Sequence, residues 1–394
     1  MFSKYSFVAI ALLIILVLLR LFTLEKQADS NNFKFQGQIS SNPYLSYDKI
    51  VFNIGRYRIK APYQNLQYAD QVQVTGKKQG FEIEAKEVLE LKKGRFETWV
   101  LNFRKDLEKR INRHFPKPQS ELLSGILLGI KSNLSREFKA ALVATGTIHV
   151  VVVSGYNIVL LASFILLLAP FFGRKKVTFL ALVTIVLYTI LVGFSAPTFR
   201  ALIMGSVTLL AVLLGKRTIA IYSLIVAALI MLLINPEYIF DISFQLTFAA
   251  TLGVLLFTKT LERKLNKFPK WFRQTLATTL AAQSLVIPLL FYYFGTVSLL
   301  SPVVNTLVLW TIPVGTVLGF AFLGLTFISN FLADLCSYLL ILPLTFFTMA
   351  VDFFGTFRIL VLSFEKGNLI SVLGYYLIFF SLLPKFLKTR LKKQ

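Results

Sequence analysis

From about residue 147 onward the chain is a succession of apolar runs, many of them close to the length that a helix needs to cross a bilayer. About 20 apolar helical residues span the hydrocarbon, and inside it every backbone polar group must be paired within the protein. Candidate spans are residues 154–172, 177–194, 201–214, 218–234, 239–258, 276–294, 303–328, 332–351 and 370–387; an amino-terminal run, Phe7 to Leu24, makes ten. With 56% hydrophobic and only 15% charged residues, a soluble chain could not hydrate its own surface. The expected class is a polytopic α-helical membrane protein of about ten transmembrane helices.

Ahead of those runs the composition changes. Residues 1–25 read as an uncleaved anchor, because Arg20 sits inside the apolar end and no small-x-small cleavage pattern follows. Residues 26–98 carry short period-2 segments such as KIVFNIGRYRIKAP and FEIEAKEVLELKK, punctuated by Gly and Pro, which predict a small all-β, OB-like domain. Residues 99–146 turn helical and amphipathic. There Leu107 and Ile111 oppose Arg104, Lys105, Lys109 and Arg110, a pattern that suits a membrane surface or a seat against the β domain. Residues 147–387 form the transmembrane domain and 388–394 a basic tail.

The formal net charge of +23 has two readings. Lys and Arg gather in short loops, as expected of segments held in the cytoplasm. The same charge attracts polyanions, whether lipid headgroups or nucleic acid. Gly173–Lys176, Gly215–Arg217, Lys259–Arg273 and the tail all fall on one side if ten helices alternate from a cytoplasmic amino terminus. Both termini are then cytoplasmic and the β domain extracytoplasmic.

Several chemistries lack their residues. One cysteine, Cys336, allows no intrachain disulfide, and two histidines, His114 and His149, make no metal cluster. Neither a metal nor another cofactor is expected. Gly215-Lys216-Arg217 lacks the upstream glycine and the Ser/Thr of a phosphate-binding loop, so the chain has no ATPase of its own.

The costly residues within the apolar runs are the candidate site. His149, Ser154, Gly155 and Asn157 open the first run of the transmembrane domain; Arg200 follows Pro197, and Asp241 and Gln245 follow Asn235-Pro236. An Arg or Asp inside a span costs about 2.5–3.5 kcal/mol and normally faces protein or water. Under the alternating topology all of these lie near the external face, as the lining of a vestibule. A hydrolase built on His149 and Ser154 is the weaker reading, since no acid orients the imidazole. Asp334 is a buried-run carboxylate in need of a partner. Tyr44 and Tyr57 are candidate stacking residues for nucleic acid, and Lys264, Lys267 and Lys270 candidate phosphate contacts.

Three blocks carry a resemblance: LLGIKSNLSREFKAALVATGTIHVVVVSGYNIVLL (127–161), GFSAPTFRALIM (193–204) and NPEYIFDISFQLTFAATLGVLL (235–256). In order and spacing they resemble the ComEC competence family of inner-membrane DNA-uptake channels. The resemblance implies a bacterial cytoplasmic-membrane channel for single-stranded DNA in natural transformation, not an enzyme. Its partners would be the DNA, membrane lipids, a DNA receptor, a pilus system and a cytoplasmic helicase-like motor, with the oligomeric state open. The matching positions are Gly129, Gly146, His149, Ser154, Gly155, Arg200, Asp241, Phe244 and Gln245. The chain departs from the family at Asn157, where a second histidine is usual, and at Ile130-Lys131, where an acidic residue is usual. It ends at Gln394, so the form expected is one without the metallo-β-lactamase-like domain that many members carry. The rival is a membrane-embedded enzyme or transporter acting on a lipid or envelope substrate at the outer face.

Overall fold

The computed structural model describes residues 33–39, 44–46, 49–54, 57–64, 71–79, 82–90, 95–130, 134–151, 155–216, 218–357, 361–363, 371–379 and 381, together with Ile14, Leu16 and Val17. The anchor expected over Phe7 to Leu24, the basic tail and Ser154 lie outside the described residues. Two compact units are present, one of residues 1–102 and 228–241, the other of 103–227 and 242–394.

In the first unit, six strands form one sheet: β1 (Phe33–Gln38), β2 (Tyr44–Ser46), β3 (Lys49–Ile54), β4 (Tyr57–Pro62), β5 (Gln71–Gln79) and β6 (Glu82–Glu90). Their order is β1-β5-β6-β4-β3-β2, with β4 and β6 parallel and the other pairs antiparallel. Alternation decides which face is inside. Tyr57, Ile59 and Ala61 of β4 are buried against Phe52, Val72, Val74 and Ile83, while Arg58 points out. Gly76 marks a register shift in β5, and a Cβ there would lie 2.2 Å from the Glu84 carbonyl oxygen, so no larger residue fits. On the outer face Lys60 donates to Glu82 and Lys49 to Glu84, which holds both carboxyls below their usual range.

The second unit is helical. Its elements are α1 (Arg95–His114, whose first residues belong to the first unit), α2 (Gln119–Leu128), α3 (Arg136–Ala144), a 3-10 turn (Ile148–Val150), α4 (Gly155–Leu166), α5 (Ala169–Phe172), α6 (Arg174–Val192), α7 (Ala196–Leu213) and α8 (Ala220–Ile234), which from residue 228 on belongs, with the 3-10 turn after it, to the first unit. After a second 3-10 turn (Pro236–Phe240) come α9 (Ile242–Lys264), α10 (Lys270–Phe294), β7 (Thr296–Ser298), α11 (Ser301–Val308), α12 (Thr311–Leu325), α13 (Asn330–Gly355) and β8 (Val361–Ser363); residues 371–379 are again helical. β7 pairs antiparallel with β8.

Among the described residues five helices are long and apolar enough to cross a membrane: α6, α7, α9, α10 and α13. A sixth span results if α11 and α12, bent by 42°, are counted together. The expected span at 154–172 is broken. Its first helix, α4, has 12 residues, or about 18 Å of rise, and Pro170 starts a separate turn of helix after it. The run 303–328 is likewise split into the bent pair.

The segment 99–146 resolves into three helices of different character. Leu107 and Ile111 of α1 pack into the main helical core with Phe322 and Leu323 of α12 rather than onto a membrane surface. On the other side of α1, Arg110 donates to the Thr326 carbonyl at 2.8 Å and covers the Phe327 ring at 4.1 Å. The later part of that amphipathic stretch is divided by Gly129 at φ 69°. Before that glycine, α2 is buried from Ser120 to Leu128 on every side, not only along one stripe.

Candidate functional site

Arg200 sits in the second turn of α7, a helix opened by Ser195 and by Pro197 in its first turn. Its side chain reaches α9. Nε donates to Thr247 Oγ1 at 3.0 Å and Nη1 to Thr251 Oγ1 at 2.5 Å, while Met204 Sδ lies 3.7 Å from Nη1. Thr247 and Thr251 are four residues apart and so share one face of α9. The Thr251 hydroxyl in turn donates to the Thr247 carbonyl. All three partners of the guanidinium are neutral, and among the described residues no carboxylate stands within ion-pair distance of it.

Gly155 of α4 meets it. Gly155 begins α4, and a Cβ on Gly155 would stand 2.9 Å from Arg200 Nη2 and 3.1 Å from Ala201 Cβ. Glycine is therefore what lets α7 and its arginine approach the start of α4. A partly buried guanidinium with hydroxyls but, among the described residues, no carboxylate around it is suited to an oxyanion.

The other expected residues separate. His149 is exposed in the 3-10 turn, and its Nδ1 lies 3.0 Å from the Gly146 carbonyl oxygen, which accepts from the ring N–H. Gln245 accepts from the Tyr293 hydroxyl at 2.7 Å and so ties α9 to α10. Asp241 caps the 3-10 turn Pro236–Phe240, its backbone N–H bonded to the Tyr238 carbonyl; it belongs to the first unit.

Asn157, expected to line a vestibule, is instead 1% exposed, and its Nδ2 donates to the Ile126 carbonyl at 3.0 Å. Beside it Tyr188 donates to the Leu127 carbonyl at 3.0 Å. The last carbonyls of α2 need donors of this kind because the helix ends in the protein interior. Gly129 and Ile130 backbone N–H groups serve Gly125 and Ser124, and these two side chains serve the next two carbonyls.

Of the candidate nucleic-acid contacts, Tyr57 is 1% exposed in the core of the sheet, edge-on to Phe35, and its hydroxyl donates to Glu237 at 2.9 Å. A ring in that position offers no face to a base. Tyr44 lies in β2 opposite Val51. Lys264, Lys267 and Lys270 are exposed at the facing ends of α9 and α10. Asp334 has a partner: His114 Nε2 stands 3.4 Å away. Sequence reasoning missed Thr247, Thr251 and Tyr188. The available signal was hydroxyls at helical spacing inside apolar runs, which by itself does not say what they touch.

A family model described as "Competence protein" matches residues 126–388. ComE operon protein 3 of Bacillus subtilis strain 168 is 25% identical over 214 residues, which cover 54% of this chain and 27% of that protein. An uncharacterized protein of Aquifex aeolicus strain VF5 is 34% identical over 134 residues, 34% of this chain and 32% of the relative. The matches thus span about a third or less of each relative's length. No solved structure matches.

Proposed function

The chain belongs to the competence protein family, and on that premise we propose that it is a channel conducting single-stranded DNA across the bacterial cytoplasmic membrane during natural transformation. The carrying observation is Arg200, a cation held by Thr247 and Thr251 beside Gly155 of α4, with no carboxylate within ion-pair distance among the described residues. A phosphodiester stripped of water in hydrocarbon would lose hydration worth roughly tens of kcal/mol. A path for it must therefore supply cations and donors of this kind along the way.

The proposed arrangement keeps both termini in the cytoplasm and the sheet outside, because that orientation puts the basic segments 173–176, 215–217 and 259–273 on one side. The strand order supports an OB-like reading of the sheet. Its two edge strands, β1 and β2, are consecutive in the chain and joined only by residues 39–43. A flat six-stranded sheet sets its edges about 24 Å apart, whereas the six residue steps from Gln38 to Tyr44 reach at most about 22 Å. That reach favours a curled sheet over a flat one, which is what an OB-like barrel would have. A DNA receptor, a pilus system and a helicase-like motor are the partners such a channel would need. His149, Ser154 and Gln245 stay as proposed vestibule residues of the helical unit, and Lys264, Lys267 and Lys270 as cytoplasmic phosphate contacts.

The test is uptake of labelled DNA in a naturally competent host whose copy of this gene is deleted. Restoration by the wild-type chain is expected, with at least about tenfold less uptake for Arg200→Ala at equal membrane abundance. Normal transformation in the deletion strain would remove the proposal and leave the lipid or envelope substrate as the reading to pursue.

A further inference from the structure

A second polar place lies away from Arg200, beside the turn that joins α1 to α2. A cavity of about 110 Å³ there is walled by Glu108, Asn112, Lys117, Glu121 and Ser124, with two aliphatic side chains behind them. Glu121 and Ser124 are only 5% and 3% exposed. Glu121 Oε1 and Ser124 Oγ are buried without a hydrogen-bond partner. The other carboxylate oxygen of Glu121 is engaged, accepting from the Ser135 N–H at 3.0 Å where α3 begins.

Two carboxylates, a carboxamide and an unpartnered hydroxyl are hard oxygen donors, and no nitrogen or sulfur ligand is among them. Lys117 shows what the place attracts: its Nζ lies 3.4 Å from Glu121 Oε1, yet its side chain is 73% exposed and can swing into water. With the lysine swung out, Glu108 and Glu121 remain the charged groups among the described walls. The room exceeds that of a single water, whose share of liquid volume is about 30 Å³. Mg²⁺ characteristically uses one or two carboxylates and keeps several of its waters.

We propose that this cavity is a binding site for a hydrated divalent cation of the Mg²⁺ class, held by Glu121, Glu108 and Ser124, with Lys117 as a tethered cation that competes for the same carboxylate. A bound ion joins α1 to α2 and, through the Glu121–Ser135 bond, to the start of α3. The site does not depend on what the chain conducts.

Calorimetric titration of the purified full-length chain in detergent with MgCl₂, at constant ionic strength, tests it. One saturable equivalent is expected. Lys117→Ala should tighten binding at least about fivefold, since a like charge within a few ångströms is removed. Glu108→Gln and Ser124→Ala should weaken it, and Glu121→Gln abolish it. Lys117 is exposed and its replacement does not endanger folding, so that gain decides the matter even if Glu121→Gln proves unstable. Absence of saturable binding in both wild type and Lys117→Ala, or affinity unchanged by Glu108→Gln and Lys117→Ala together, would overturn the assignment.

Discussion

At the scale of single residues, burial separates roles that look alike in the sequence. Arg200 and Asn157 both interrupt apolar runs, yet one is a cation bonded to hydroxyls and the other a cap on α2. Asn157→Ala and Tyr188→Phe each strand a buried carbonyl, a loss of about 1–3 kcal/mol per site. Both should lower the thermal midpoint of the detergent-solubilised protein. Arg200→Ala should leave that midpoint nearly unchanged or raise it while uptake falls, because it removes a costly buried charge. Equal loss of stability in Arg200→Ala and Asn157→Ala would make the arginine structural too. The His114–Asp334 pair, with Asp334 more than half exposed, should matter little: Asp334→Asn is expected to cost no more than about 1 kcal/mol in the same melt.

At the scale of elements, small residues set how closely helices and strands approach. A Cβ on Gly125 of α2 would fall 2.3 Å from Val151 Cγ1 and 2.6 Å from its carbonyl oxygen, and one on Gly319 of α12 2.7 Å from Leu127 Cδ1. Gly125→Ala should therefore destabilise by about 1–3 kcal/mol through overpacking. Gly324→Ala, with nothing within 4 Å, should be neutral or stabilising by up to about 1 kcal/mol. Thermal melts of the two variants side by side check the difference. In the sheet, Glu82 and Glu84 have carboxyls lowered by their lysine hydrogen bonds. A depressed carboxyl favours the folded state above the unfolded value and loses that effect as the acid is protonated. The contribution of these pairs is thus in place at neutral pH and fades as pH falls below about 4.5. Lys60→Ala should shift the Glu82 titration upward, read by NMR of the side-chain carboxyl.

At the scale of the whole molecule, the single cysteine of the chain makes orientation measurable. In a Cys336→Ser background, single cysteines at Pro197 and at Lys267 should react with a membrane-impermeant maleimide from opposite sides; labelling of both from outside intact cells would refute the proposed topology. The apolar runs alone made the class legible, since nothing but a bilayer accommodates them, and the motif blocks 127–161, 193–204 and 235–256 pointed to the family that the match over 126–388 bears out. The sheet was legible through period-2 alternation in strands such as β4. The break between α4 and α5, the burial of α2 on all sides and the inward turn of Tyr57 were not, because periodicity records which faces are apolar but not which neighbour covers them. Hydropathy is a property of each segment and is written locally. Whether Asn157 lines water or caps a helix, and whether Arg200 meets a carboxylate or two threonines, depends on partners 31 to 51 residues distant, and only the packed chain brings those together.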